Sequence, residues 1–196
     1  MSETAEVKKK DMKDVLAAAE AYKCAVQRAF TFVDEFLSEP MCGRCLPCSL
    51  GSYEAKVRLQ RISAGSGTDE DISALHRIAS QMLVGSMCKK GKDTGQFIQD
   101  SLAGDTFSAH ASKKCAAREC ASLVVYRVIA EKCVMCGLCQ DACKYNAIAG
   151  EKKVSYQSGF LPFEVRQRRC TKCGDCLKAC PYGAIEVIEE TMEAVI

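Results

Sequence analysis

Fifteen cysteines occur among 196 residues, and twelve of them obey one spacing rule. Cys42/Cys45/Cys48, Cys133/Cys136/Cys139 and Cys170/Cys173/Cys176 are three C-x2-C-x2-C triplets, with Cys88, Cys143 and Cys180 as the natural fourth members. A loop of that length can wrap three corners of a cubane 4Fe-4S cluster before the chain must leave, so a fourth thiolate has to come from elsewhere. The expected chemistry is one-electron transfer. Zinc ribbons also use C-x2-C pairs, but they seldom set three cysteines at two-residue gaps with a fourth four positions later, twice in one chain. Cys24, Cys115 and Cys120 are left outside the rule.

The elements that must position these thiols fall into two halves. Cys133–Ile148 (CVMCGLCQDACKYNAI) and Cys170–Ile185 (CTKCGDCLKACPYGAI) repeat at an offset of 37 residues, with nine identities in sixteen positions, which marks a duplicated unit. Each copy reads as a cysteine-bearing loop, a short helix starting near the last ligand, and a strand at the Ala-Ile end. Gly137 and Gly174 suit the tight wrap, since glycine tolerates positive φ and lets the backbone approach sulfur closely. The stretches Lys152–Ser155 and Phe163–Arg168 read as a short hairpin inserted at Ser158-Gly159. Residues 126–190 resemble the two-cluster bacterial ferredoxins, in which the fourth cysteine of each run ligates the other cluster. The resemblance implies Cys133, Cys136, Cys139 and Cys180 on one cluster and Cys170, Cys173, Cys176 and Cys143 on the second. Pro181 follows that pattern after the fourth cysteine, whereas Lys144 stands at the equivalent place in the first copy. Tyr145 and Tyr182 are expected as aromatics packing on the clusters.

The first half is helical. Apolar residues at Val15, Ala19, Tyr22, Val26, Ala29/Phe30, Val33 and Phe36/Leu37 advance by three and four, predicting one long amphipathic helix that ends before Pro40. A second helix is expected from Pro47 to Ser63 with Tyr53, Val57 and Ile62 inward. A third starts at Thr68, whose spacing to Asp71 is close to a capping box, with Ile72, Leu75, Ala79 and Met82 on one face. His76, beside that face, is expected to be a packed or surface histidine. Cys42-Gly-Arg-Cys45-Leu-Pro-Cys48 falls at the first turn and Cys88 past the third helix, ends that a bundle can bring together.

FVDEFLSEPMCGRCLPCSLG followed by GSGTDEDISALHRIASQMLVGSMC resembles the 4Fe-4S module of the NADH-binding flavoprotein subunit of respiratory complex I. Its relatives include the flavoprotein subunits of NAD-linked formate dehydrogenases and electron-bifurcating hydrogenases. Ser49 stands where that family usually has arginine, and Met87 where it has leucine. The resemblance implies Cys42, Cys45, Cys48 and Cys88 as ligands. His110-x4-Cys115-x4-Cys120 matches an element joining the two iron-sulfur modules in the bifurcating-hydrogenase subunits, where a zinc ion sits. With Cys24 this gives a Cys3His set, the closed tetrahedral type used structurally; the alternative is a core Cys24 with Cys115 and Cys120 as free thiols.

These readings give an α+β protein: a helical 4Fe-4S module over residues 1–107, a zinc-binding junction over 108–125, and a ferredoxin-like domain over 126–196. Neither half needs a large apolar core if metal cross-links it. The odd cysteine count and the absence of an apolar signal region in Met1–Asp14 argue for a reducing cytoplasm over a secreted disulfide scaffold. No apolar run is long enough for a membrane span. A formal net charge of +2, aromatics at 7% and no tryptophan give no case for nucleic acid, and the basic clusters Lys8-Lys9-Lys10 and Arg166/Arg168/Arg169 read as solvated faces. No glycine-rich strand-turn-helix fingerprint precedes the bundle, so FMN and NAD(P) are expected on a partner subunit. No nucleophile-base arrangement is apparent, so no catalytic residue is expected.

The function expected is that of a non-catalytic electron-transfer subunit in a hetero-oligomeric, flavin-dependent, NAD(P)-linked oxidoreductase, with bifurcation suggested by analogy. Three 4Fe-4S clusters and one zinc would relay electrons between a flavin subunit and ferredoxin or another redox subunit such as a hydrogenase. Two other readings stand beside it: a stand-alone multi-cluster ferredoxin, and a binding scaffold whose clusters are structural.

Overall fold

The structure is a computed structural model that describes residues 10–154 and 159–189. It is an α+β protein with two compact units, one ending at Leu123 and the other starting at Val124. Among the described residues, no helix is long and apolar enough to cross a membrane.

Among the described residues, the first unit contains six α-helices: α1 (Met12–Glu20), α2 (Ala25–Ser38), α3 (Leu46–Ser63), α4 (Asp69–Gly85), α5 (Lys89–Ser101) and α6 (Thr106–Ala111). The single long helix expected from Val15 to Leu37 is broken in two at 21–24. Asp11 and Asp14 form a capping box that starts α1. Glu119 ends the continuity by accepting the backbone N–H groups of Lys23 at 2.9 Å and Cys24 at 2.7 Å, donors that an unbroken helix would have used internally. Tyr22, at the break, faces solvent rather than the core.

Helix α3 corrects a second expectation. Its buried face is Cys48, Ser52, Ala55, Leu59 and Ile62, while Tyr53 is 62% exposed and Val57 is exposed too. The helix carries large apolar side chains on both sides, so periodicity alone could not choose the inner one. In α4 the Thr68/Asp71 capping box is formed, and Leu75, Ala79 and Met82 are buried. Asp71, only 1% exposed, accepts from Arg58 Nη1 at 2.8 Å and Arg61 Nη1 at 3.2 Å, so its buried charge is neutralised by α3.

Helix α5 has little apolar pattern because its inner face is built from Gly91, Thr94, Gly95 and Ile98. A Cβ at Gly95 would lie 3.0 Å from the Ala79 carbonyl oxygen, so the glycine lets α5 pack directly on the α4 backbone. Val26, Val33, Leu59, Ile62, Met82, Ile98 and Phe107 share the resulting core. Phe32 stacks on Phe97 with ring centroids 3.9 Å apart, in a smaller cluster that also holds Phe36, Cys45 and Cys48.

Among the described residues, the second unit has two antiparallel strand pairs and two short α-helices. Strand β1 (Val124–Val128) pairs with β4 (Ile185–Glu189), and β2 (Ile148–Ala149) pairs with β3 (Glu164–Val165). The expected hairpin therefore begins at Ile148-Ala149 instead of Lys152–Ser155; of that expected strand, Ser155 lies outside the described residues, as does Ser158 at the proposed turn. Helices α7 (Leu138–Asp141) and α8 (Asp175–Ala179) start directly after Gly137 (φ +80°) and Gly174 (φ +81°), one residue before the third cysteine of each triplet rather than at the fourth. A left-handed residue ends the loop and aims the next turn inward. The repeat is equally visible in the backbone: positive φ recurs at Met135/Lys172, Gly137/Gly174 and Asn146/Gly183, each pair 37 residues apart.

Candidate metal and cluster centres

In the first unit, three helices begin on cysteines: Cys24 caps α2, Cys45 caps α3 and Cys88 caps α5, none with a side-chain hydrogen bond to its own helix. Unpaired N–H groups and the positive end of the helix dipole favour thiolate there.

Cys42, Cys45, Cys48 and Cys88 are brought into one neighbourhood. Burial, followed by the negative charges of Cys45, Cys88 and Cys42, pushes the Cys48 thiol up to about 11. Four thiolates packed in this way oppose one another's ionisation unless a cation compensates, and iron is such a cation. Cys45 and Cys48 are buried, whereas Cys42 and Cys88 are exposed, so the group has an inner and an outer edge. A Cβ at Gly91 would lie 3.1 Å from Cys48 Sγ, leaving no room there for a larger residue.

In the second unit the thiols line two cavities. One is walled by Cys133, Cys136, Cys139 and Cys180 with Phe163, the other by Cys143, Cys170, Cys173 and Cys176 with Tyr126. Burial, then neighbouring thiolates, pushes Cys176 up to about 11, and burial likewise raises Cys139. The backbone N–H of Ala147 donates to Cys143 Sγ at 3.3 Å, and that of Ala184 donates to Cys180 Sγ at 3.4 Å, again 37 residues apart. Donors of this kind stabilise negative sulfur. Tyr126 and Phe163, also at the 37-residue offset, were not singled out from sequence; extending the repeat upstream would have found them. Tyr145 and Tyr182 line the same two cavities but are largely exposed.

The remaining three cysteines converge with a histidine. Cys24, His110, Cys115 and Cys120 are all buried, and their ligand atoms lie within 4.8 Å of one another, so they could hold a metal ion. Cys24 Sγ is 3.8 Å from Cys120 Sγ and 4.0 Å from Cys115 Sγ. His110 Nε2 is 3.3 Å from Cys24 Sγ and 3.2 Å from Cys120 Sγ. A tetrahedral ion with metal-sulfur bonds of about 2.3 Å sets its sulfurs about 3.8 Å apart. The group therefore has the size of a single ion, whereas a cubane spreads its thiolates over four separate irons.

The surroundings suit a metal as well. His110 Nδ1 lies 2.7 Å from the Thr106 carbonyl oxygen, which can only accept, so Nδ1 carries a proton and Nε2 is the ring atom turned to the thiols. Gln27 Nε2 donates to Cys120 Sγ at 3.6 Å. The hydrogen bond with Cys120 is the largest influence on Cys24, whose thiol falls to about 4; the same pairing raises Cys120. Burial opposes charge on His110, but the Cys24 thiolate and the Thr106 carbonyl outweigh it and push the imidazole up to about 9, so a metal at Nε2 would take the place of a proton there. All four side chains belong to the helical unit. His76 is exposed and 3.5 Å from Gln99 Nε2, apart from all these groups.

Cysteine-lined cavities in a duplicated α+β unit, together with a separate thiol group in the helical unit, define a 4Fe-4S iron-sulfur protein. Residues 28–112 match the NADH-ubiquinone oxidoreductase-F iron-sulfur binding region and residues 132–186 match the 4Fe-4S dicluster domain; the chain carries both. It is 35% identical over 135 residues to the NADP-reducing hydrogenase subunit HndC of Solidesulfovibrio fructosivorans, covering 66% of this chain and 27% of that protein. It is also 35% identical over 89 residues to the NADP(+)-dependent formate dehydrogenase subunit beta of Moorella thermoacetica, covering 45% of this chain and 11% of that protein. With an NADH-quinone oxidoreductase subunit of Streptomyces coelicolor it shares 36% identity over 77 residues, 39% of this chain and 17% of the other. The chain thus spans about a quarter or less of the length of these relatives.

Proposed function

We propose that this chain is the electron-relay subunit of a hetero-oligomeric, flavin-dependent, NAD(P)-linked oxidoreductase. Three 4Fe-4S clusters are held by Cys42/Cys45/Cys48/Cys88, by Cys133/Cys136/Cys139/Cys180 and by Cys143/Cys170/Cys173/Cys176. One zinc ion is held by Cys24/His110/Cys115/Cys120. Residues 1–107 act as the first cluster module, 108–125 complete the zinc site, and 126–196 act as the ferredoxin-like domain. The flavin and NAD(P) sites belong to a partner chain, and ferredoxin or a further redox subunit takes the electrons onward, with bifurcation as one such arrangement.

The observation that carries this reading is the grouping of twelve thiols into three sets of four, set beside relatives that are subunits of NAD(P)-linked enzymes. When bound, the clusters supply one-electron chemistry. The chain's own residues supply anionic sulfur, backbone donors to that sulfur from Ala147 and Ala184, and walls from Tyr126 and Phe163 that keep water off the two inner cavities. Around the fourth group, a proton fixed on His110 Nδ1 leaves Nε2 free to ligate.

Anaerobic metal analysis tests the reading. About 12 Fe and about 1 Zn per chain are expected. About 8 Fe with more zinc would remove the first cluster, and absence of zinc would refute the Cys3His site. Native purification as a lone monomer would refute the subunit role.

A further inference from the structure

Helix α3 leaves a second apolar stripe without a partner among the described residues. Leu46, Leu50, Tyr53 and Val57 follow one another by four, three and four residues, so they share a face, and all four are exposed. At the end of α4, Val84 and Met87 are 88% and 85% exposed. The two sets are adjacent: a Cβ at Gly85 would lie 2.9 Å from Pro47 Cγ, so the start of α3 packs against the end of α4. Between them runs a groove of about 490 Å³, whose walls include Leu46, Pro47, Leu50, Ile78 and Val84. A contiguous exposed apolar patch of this kind marks an interaction surface, whereas single exposed apolar residues do not.

Position and charge indicate what covers it. The elements forming the groove lead directly into the first thiol group: Leu46 follows Cys45, and Met87 precedes Cys88. Cys42 and Cys88 are the exposed members of that group, so a chain seated in the groove lies against the edge through which electrons can pass. Arg44 stands between Cys42 and Cys45, and Lys89, Lys90 and Lys92 follow Cys88; all four cations are exposed and none makes an ion pair among the described residues. A two-fold pairing of two copies would set these cations against one another, which disfavours self-association.

We propose that the α3/α4 groove is the docking surface for the flavin-bearing partner, and that the partner presents apolar side chains ringed by carboxylates. The inference rests on the relay reading above and assigns the surface it uses. Apolar contact supplies the affinity, and the cationic rim accelerates encounter and sets register.

The test uses the tagged full chain purified anaerobically from its native host. Wild type is expected to co-purify with a chain identified by mass spectrometry and by its bound flavin. Leu50→Glu/Val84→Glu should lower the retained flavoprotein at least tenfold while iron content stays at the wild-type level. Lys89→Glu/Lys90→Glu should slow association about tenfold at low salt and much less at high salt. A photo-crosslinking residue at Leu50 should capture the flavin-bearing chain, and this readout holds even if the glutamate variants misfold. Wild-type retention by Leu50→Glu/Val84→Glu with full iron content overturns the groove alone, as does a Leu50 crosslink to a second copy or to this chain's own residues. A wild-type chain that purifies with no flavoprotein overturns the relay reading as well.

Discussion

The two thiol groups of the helical unit are built largely from the same residue type and differ in exposure. Around Cys24 the neighbouring ligand atoms sit 3.2–4.0 Å apart and every side chain is buried. Around Cys48 the thiols divide into two buried and two exposed members at the ends of helices. The first arrangement fits one ion that never meets solvent, the second a larger centre with an edge open to a partner. In the proposed reading, burial separates a fastening from a conductor: the electron path needs an exposed edge, and a structural ion is safest without one.

The largest expected effect falls on the fastening. Cys115→Ala should abolish zinc binding and destabilise the helical unit by several kcal/mol, because the metal's binding energy is part of the folding energy; zinc analysis with thermal circular dichroism reads both. If the variant keeps wild-type stability, the contrast between the two groups collapses. Leu59→Ala, in the core that also holds Cys24, Cys115 and Cys120, should cost about 3 kcal/mol in chemical denaturation without changing metal stoichiometry.

On the conducting side, Cys143→Ala and Cys180→Ala should each perturb the centre of the opposite triplet. Selective change in the EPR signal of one ferredoxin-type cluster per variant would sharpen the pairing, and loss of the same signal in both would break it. Glu119→Ala should cost about 1 kcal/mol as a lost cap of α2 and speed zinc release to a chelator, since Cys24 stands at that cap. The smallest effect is expected from Tyr126→Phe, which makes the repeat-related wall residues 126 and 163 alike. It should narrow the gap between their reduction potentials in an EPR-monitored titration, and an unchanged gap would exclude the Tyr126 hydroxyl as a source of asymmetry.

Much of the candidate chemistry was legible because it is local. Triplet spacing, the 37-residue repeat and the Thr68/Asp71 cap each depend on neighbours within one turn or loop, and each appears in the fold. The break between α1 and α2 was not legible, because it depends on Glu119, more than ninety residues away, competing for the Lys23 and Cys24 amides. The inward face of α3 differs from the expectation because both faces carry large apolar side chains and only packing against α2 and α4 distinguishes them. Helix α5 escaped notice because glycine and threonine form its inner face, which hydropathy does not register.

Residue types and loop spacing were enough to settle the kind of chemistry, since they decide which centres thiols can wrap. Tertiary packing was needed for the rest. It turns His110 Nε2 toward thiols at single-ion distances, brings Cys180 to the cavity of the Cys133 triplet, and leaves Leu46, Leu50 and Val84 facing outward beside exposed Cys42 and Cys88. Those outcomes depend on which residues distant in the chain reach the same place, and that is set by how helices and strands bury their surfaces together.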